Sequence, residues 1–143
     1  MHILLVEDNE GDIEITGMAI KQGKLSSTLS VAHDGVEAIE YLSRQNKFAD
    51  AVRPDLILLD LNMPRMDGKE FLKIAKQDEK LKSIPIIVLT SSSAPQDIQE
   101  CYERYANCYI IKPFDLTKYM DIAKQIEGFW ANLAQLPGNA ARL

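Results

Sequence analysis

The chain has 143 residues, 46% of them hydrophobic and 26% charged, the balance of one ordinary globular domain. A net charge of −5, with Lys and Arg scattered along the chain, argues against a nucleic-acid partner. No stretch approaches the ~18 apolar residues of a membrane span, and the amino end lacks a basic and apolar leader, so a cytoplasmic protein without a membrane partner is expected. Cys101 and Cys108 are the only cysteines, and no His or Cys cluster with metal-ligand spacing flanks them.

ILLV (3–6) is too short for a helix and wholly aliphatic, as a strand buried on both faces is. It ends on Glu7 and Asp8, adjacent carboxylates that repel and so need something to hold them. A helix is predicted over 10–23, with Ile13, Ile15, Met18 and Ala19 apolar and Asn9 capping toward Asp12. LSVAH (29–33) is the second strand, followed by a helix over 35–47 behind Asp34…Glu37. Residues 43–54 mix the end of that helix with a surface loop. LILLD (56–60) is the third strand, and a helix over 68–78 follows Asp67…Glu70, with Phe71, Leu72 and Ala75 inward. PIIVL (85–89) is the fourth strand, closed by Thr90, and Ser93…Gln96 opens a helix over 95–106. YII (109–111) is the fifth, and Lys112 follows it. The last segment predicts one helix over 116–136, about 30 Å long and well past a strand of ~17 Å. Pro137 and Gly138 then end it, and GNAARL frays.

Five alternations of strand and helix imply a doubly wound α/β domain with a parallel sheet between helices. Ligands of such folds bind beyond the carboxyl ends of the strands. There this chain places Glu7, Asp8, Asp60, Thr90 and Lys112. A lone Asp at a strand end is usually a turn or cap, but four coordinated strand ends make a site. Three carboxylates in a shallow crevice call for Mg²⁺, since carboxylates are hard oxygen ligands. A divalent ion lets a phosphate sit beside them, with Lys112 pairing its oxygens and Thr90 donating to them, while one carboxylate acts as nucleophile.

The motifs VEDN (6–9), DGVEA (34–38), LILLDLNMPRMDG (56–68), VLTSS (88–92) and YIIKPFD (109–115) resemble the receiver domain of bacterial two-component response regulators. The resemblance covers residues 2 to about 127. It implies a flavodoxin-like fold, a five-stranded parallel sheet of order 2-1-3-4-5, to which the predicted long last helix adds a C-terminal extension. It also implies that Asp60 accepts a phosphoryl group from a sensor histidine kinase. Glu7 and Asp8 match the acidic pair that holds Mg²⁺ with Asp60, Asp8 directly and Glu7 mostly through water. Asn62 matches the residue that offers its backbone carbonyl to the ion. Thr90 and Lys112 match the pair that senses and neutralises the phosphoryl group, and Tyr109 the switch aromatic, with ordinary core packing as its alternative. The bond to Pro113 is expected to be cis. The face made by the fourth helix, fifth strand and fifth helix would then alter partner binding.

Two departures mark the chain. YANCYI (105–110) stands where the family often has Gly-Ala, and the segment 43–54 is long. Both are similar to single-domain regulators paired with phytochrome kinases in cyanobacteria and other bacteria. Residues 1–127 are therefore read as the receiver domain and 128–143 as an extension without an output domain. In the tail, Tyr119, Ile122, Ile126, Phe129, Trp130 and Leu133 suggest a two-fold dimer; the alternative is a bend at Gly128 that folds the tail back. The expected molecule is not an enzyme beyond accepting and slowly losing its own phosphoryl group, and it signals to a downstream protein by contact. Two readings compete. A Mg²⁺-dependent phosphohydrolase would want a second acid where Asn62 stands, and a scaffold that takes no phosphate has no need of the intact site.

Overall fold

The computed structural model describes residues 1–23 and 27–137 of the chain. Each aliphatic run becomes a strand whose side chains alternate between two faces, both buried in the three inner strands and only partly covered in the two at the edges. The strands are β1 (His2–Val6), β2 (Thr28–Ala32), β3 (Leu56–Leu59), β4 (Ile86–Thr90) and β5 (Cys108–Ile111). All pair in parallel in the order β2-β1-β3-β4-β5, with Leu5 in register with Val31 on one side and Leu58 on the other. The helices are α1 (Glu10–Gln22), α2 (Gly35–Leu42), α3 (Gly68–Gln77), α4 (Pro95–Glu103) and α5 (Leu116–Gly128).

Leu4, Val6, Ile57, Leu59, Ile86 and Val88 point to one face, where Ala38 of α2, Phe71 of α3 and Cys101 of α4 cover them. Their neighbours Ile3, Leu5, Leu56, Leu58, Ile87 and Leu89 point to the other, under Ile20 of α1 and Tyr119 and Ile126 of α5. Both faces are closed, so the polar residues at the strand ends are the ones left to form a site.

Three of the four expected caps are present: Asn9, Asp34 and Asp67 accept from the amides of Asp12, Glu37 and Glu70 at 3.0, 2.8 and 2.9 Å. The fourth is not. Ala94 starts α4 without a side-chain bond, with Pro95 in the first turn setting the backbone instead. Asp115 supplies a cap the sequence reading missed, accepting from the Lys118 amide at 3.1 Å. Helix α2 stops at Leu42 rather than running to 47. Arg44 turns left-handed (φ 54°), and Gln45 N–H returns to Glu40 O at 2.9 Å, a helix-ending bond usually associated with glycine. Tyr105 (φ 68°) ends α4 in the same way where the family favours glycine, and Ala106 N–H closes on Cys101 O at 3.0 Å.

The tail corrects a prediction. Helical structure continues past α5 through Phe129–Leu133, but in the wider π register, and Ala134 is extended. The helix thus stops three residues short of 136. Leu136 is buried, and with Pro137 it lines a hollow beside Pro54, Ser83 and Pro85, near the amino ends of β3 and β4. Burying a leucine offsets the lost helical bonds. The fraying expected of 138–143 lies outside the described residues.

Candidate functional site

Strand β1 delivers Glu7 to the carboxyl edge of the sheet, where its amide still donates to Ala32 O at 2.9 Å. Glu7 is buried, whereas Asp8 is exposed. Strand β3 delivers Asp60, buried at 7% exposure; its Oδ1 accepts from the Leu61 amide at 2.8 Å. Carboxylate oxygens of Glu7, Asp8 and Asp60 all lie within 4.8 Å of one another. Lys112 reaches into this group from the end of β5. Its Nζ lies 2.5 Å from Glu7 Oε1, 2.7 Å from Asp12 Oδ2 and 3.6 Å from Asp60 Oδ2.

The electrostatics follow from that crowding. Burial pushes the Glu7 carboxyl up to about 7, Asp60 adds to the rise, and the Lys112 hydrogen bond opposes it. Burial also works against charge on Lys112. The bonds to Asp12 and Glu7 outweigh it and hold the ammonium above its ordinary value. The carboxyl groups of Glu7, Asp8, Asp12 and Asp60 outnumber the one ammonium. The donor set is all hard oxygen, and Asp8 keeps the group open to solvent. These residues fit a small divalent cation.

Thr90 is fully buried, yet its Oγ1 has no hydrogen-bond partner among the described residues. A hydroxyl left in that state at the end of a central strand has a bond still to make. Asn62 is exposed on the loop after Asp60 and lines a crevice of about 500 Å³ with Asp8, Asp67, Lys69 and Asp97. Gly68 closes that loop: its amide donates to Leu61 O at 2.9 Å, and a Cβ there would stand 2.3 Å from Asp60 O.

Tyr109 is half-buried against the core, and its hydroxyl donates to Ser92 O at 2.9 Å. The structure thus brings together Glu7, Asp8, Asp60 and Lys112, with Asn62 on the crevice wall and Tyr109 tied to the segment after β4. Two expectations change. Among the described residues no peptide bond is cis, so Lys112–Pro113 is trans, the isomer that X–Pro bonds favour by about 0.5–1 kcal/mol. Here Lys112 N–H still pairs with Thr90 O at 2.7 Å as the chain leaves the sheet. Tyr119 and Ile126 leave the predicted dimer set because both are buried in the core, and Ile122 and Trp130 pack against it. Only Phe129 and Leu133 of that set are exposed.

Sequence reasoning missed Asp12 as a partner of Lys112, having read it only as part of a helix cap. It also missed a network beside the crevice. Lys69 of α3 binds Asp97 at 2.5 Å and Glu100 at 2.6 Å, both on α4, and Ser92 Oγ donates to Asp97. Lys69 pairing, with help from Ser92, holds the Asp97 carboxyl below its usual range. Residues so far apart in sequence left no spacing signal.

The comparisons agree with this geometry. The sequence profile of the response regulator receiver domain matches residues 3–124. Response regulator Rcp1 of Synechocystis sp. is 38% identical over 135 residues, 94% of this chain and 92% of its own. The phosphorylated cyanobacterial phytochrome response regulator RcpA superimposes with a TM-score of 0.92 at 43% identity, covering 95% of this chain and 97% of that one. The Mn²⁺-bound form of Rcp1 gives 0.91 at 38% identity, covering 95% and 98%. Among the described residues no helix is long and apolar enough to cross a membrane. With acids at the end of β1, Asp60 at the end of β3 and Lys112 after β5, the chain belongs to the response regulator receiver family and works in phosphorylation-based two-component signalling.

Proposed function

We propose that Asp60 accepts a phosphoryl group from a phosphohistidine of a sensor histidine kinase, and that this kinase is a phytochrome. One observation carries the reading: the carboxylates of Glu7, Asp8 and Asp60 converge within 4.8 Å at the end of the sheet, and a single ammonium reaches Glu7 and Asp60 among them. The kinase class rests on the likeness to RcpA and to Rcp1. A carboxylate oxygen of Asp60 forms the new bond to phosphorus as the phosphorus–nitrogen bond breaks, and the departing imidazole keeps the bonding electron pair. Asp8, Asp60 and the Asn62 carbonyl would hold Mg²⁺, with Glu7 acting through water. When bound, the ion neutralises charge on the phosphoryl oxygens.

Lys112 supplies the remaining positive charge, turning from Asp12 and Glu7 toward the new phosphoryl group. Thr90 gives its unused hydroxyl to a phosphoryl oxygen. That draws the segment after β4 inward, and Tyr109, bonded to Ser92 O, moves with it. The face of α4, β5 and α5 then exchanges between two states, biased by phosphorylation. Phe129 and Leu133 form the exposed apolar part of a homodimer contact, and a downstream protein reads the altered face. The domain spans residues 1–127, with 128–143 as its extension, and acts in the cytoplasm. It turns over no separate substrate beyond accepting and slowly losing its own phosphoryl group.

Beryllofluoride with Mg²⁺ mimics the phosphorylated aspartate and tests the reading. Fluorine NMR should show bound beryllofluoride for the wild type and none for Asp60→Asn, with a change in mass by light scattering. Absence of bound beryllofluoride in the wild type contradicts the site. An unchanged monomer mass, which Phe129→Glu also leaves as it is, contradicts the dimer.

A further inference from the structure

The loop that follows Asp60 is fixed at its tip by a pair that the site's chemistry does not use. Arg65 donates from Nε to Asp34 Oδ2 at 2.7 Å and from Nη2 to Asp34 Oδ1 at 3.1 Å, a two-pronged grip. Beside it, Gly35 N–H donates to Met66 O at 3.1 Å. A Cβ on Gly35 would come within 2.7 Å of the Met66 side chain, so the loop lies flush against the start of α2. Arg65 holds φ at 61°, left-handed backbone that a non-glycine residue keeps only where surrounding contacts demand it. Asp34 is 6% exposed and also caps α2 through the Glu37 amide. One carboxylate thus serves both the helix and the loop.

The same loop forms a wall of the crevice: Leu61, Asn62, Met63, Pro64 and Asp67 line it opposite Asp8. Its feet are closed by the bond from Gly68 to Leu61. Asn62 lies between feet and tip.

We propose that Arg65 is a positioning residue for the cation and phosphoryl site, its grip on Asp34 holding the loop so that Asn62 and Asp60 present their oxygens opposite Asp8. This rests on the reading of the crevice as that site. Arg65 touches neither ion nor phosphoryl group and acts through the backbone. Its side chain is largely exposed, and without it the buried Asp34 carboxylate still accepts from the Glu37 amide, so the loss of global stability is small and is read separately from affinity. Lysine would keep the charge but lose the fork.

The test is calorimetric titration of Mn²⁺ into the whole chain, as wild type, Arg65→Ala, Arg65→Lys and Asp34→Asn, beside thermal melting in chelator. Asparagine caps helices as well as aspartate, so Asp34→Asn preserves α2 while removing the charge. Arg65→Ala is expected to weaken Mn²⁺ about tenfold, the low end of what losing an orienting outer partner costs. Arg65→Lys and Asp34→Asn should weaken it less, and the double variant Asp34→Asn/Arg65→Ala no more than Arg65→Ala alone. Metal-free melting should move little. Wild-type Mn²⁺ affinity in Arg65→Ala overturns the positioning role and leaves the cation site standing. Melting temperatures that fall in step with affinity assign a merely structural role and also overturn it. No Mn²⁺ binding by the wild type overturns the crevice reading and this inference together.

Discussion

Lys112 Nζ stands 2.5 Å from Glu7 Oε1, with both side chains more than nine-tenths buried. At 3.6 Å from Asp60, it is too far for a hydrogen bond there. The ammonium therefore serves Glu7 and Asp12 where a metal ion would otherwise balance the acids. On the proposed reading, a lysine placed so competes with the cation. Repulsion between a single and a double charge over about 6 Å is about 1.4 kcal/mol even at the dielectric of water. Lys112→Met should therefore bind Mn²⁺ about tenfold more tightly while accepting a phosphoryl group more slowly. Calorimetry and phosphorylation time courses check both halves, and weaker Mn²⁺ binding would contradict the competition.

Thr90 presents the opposite case, a buried hydroxyl with no partner. Thr90→Val keeps the shape and removes an unsatisfied polar atom, so the metal-free protein should gain about 1 kcal/mol in urea unfolding. The same variant should hold beryllofluoride less tightly. A stability gain with unchanged beryllofluoride affinity would remove Thr90 from the site.

Gly68 is required by close approach rather than by backbone angle. In Gly68→Ala the new methyl would meet Asp60 O at 2.3 Å and Leu61 Cα at 2.7 Å, both backbone atoms that cannot swing away. A loss of about 2–3 kcal/mol is expected, together with weaker cation binding, because the loop must lift from Asp60. Chemical unfolding and Mn²⁺ titration of the variant read the two effects, and wild-type behaviour in both would refute the contact.

His2 makes the fold sensitive to acid. Its ring contacts Thr28 Oγ1 at 2.6 Å and the Tyr41 hydroxyl at 2.8 Å. Burial lowers its pKa from the ordinary 6.5; Asp55 opposes that, and the amino terminus adds to it. With the folded value below the unfolded one, the unfolded chain binds more protons as pH falls. The contribution of His2 is complete above 6.5 and is lost as pH drops through the folded value. Between about pH 7.5 and about pH 5.5, the urea midpoint of the wild type should fall further than that of His2→Gln. Equal slopes would contradict this.

The sheet and the gathering of polar residues at its carboxyl edge were legible because both are local signals. Five aliphatic runs announce strands, and polar residues at the ends of β1, β3, β4 and β5 announce the edge. Helix ends were harder: Arg44 and Tyr105 adopt the left-handed turn without the glycine that usually marks it. The path of Leu136 depends on a hollow built by residues before β3 and β4, which no periodicity records. Asp34 read only as a cap and Arg65 carried no signal of its own, since their union exists only once the loop folds onto α2. Contacts between elements distant in sequence are what a single chain of letters withholds.

The most direct test is the intact mass of the chain after incubation with acetyl phosphate and Mg²⁺, beside Asp60→Asn and a metal-free control. One added phosphoryl group, absent from both controls and mapped to residue 60 after borohydride reduction, is the predicted result. A phosphoryl group that persists in Asp60→Asn, or that forms equally well without metal, would contradict the account.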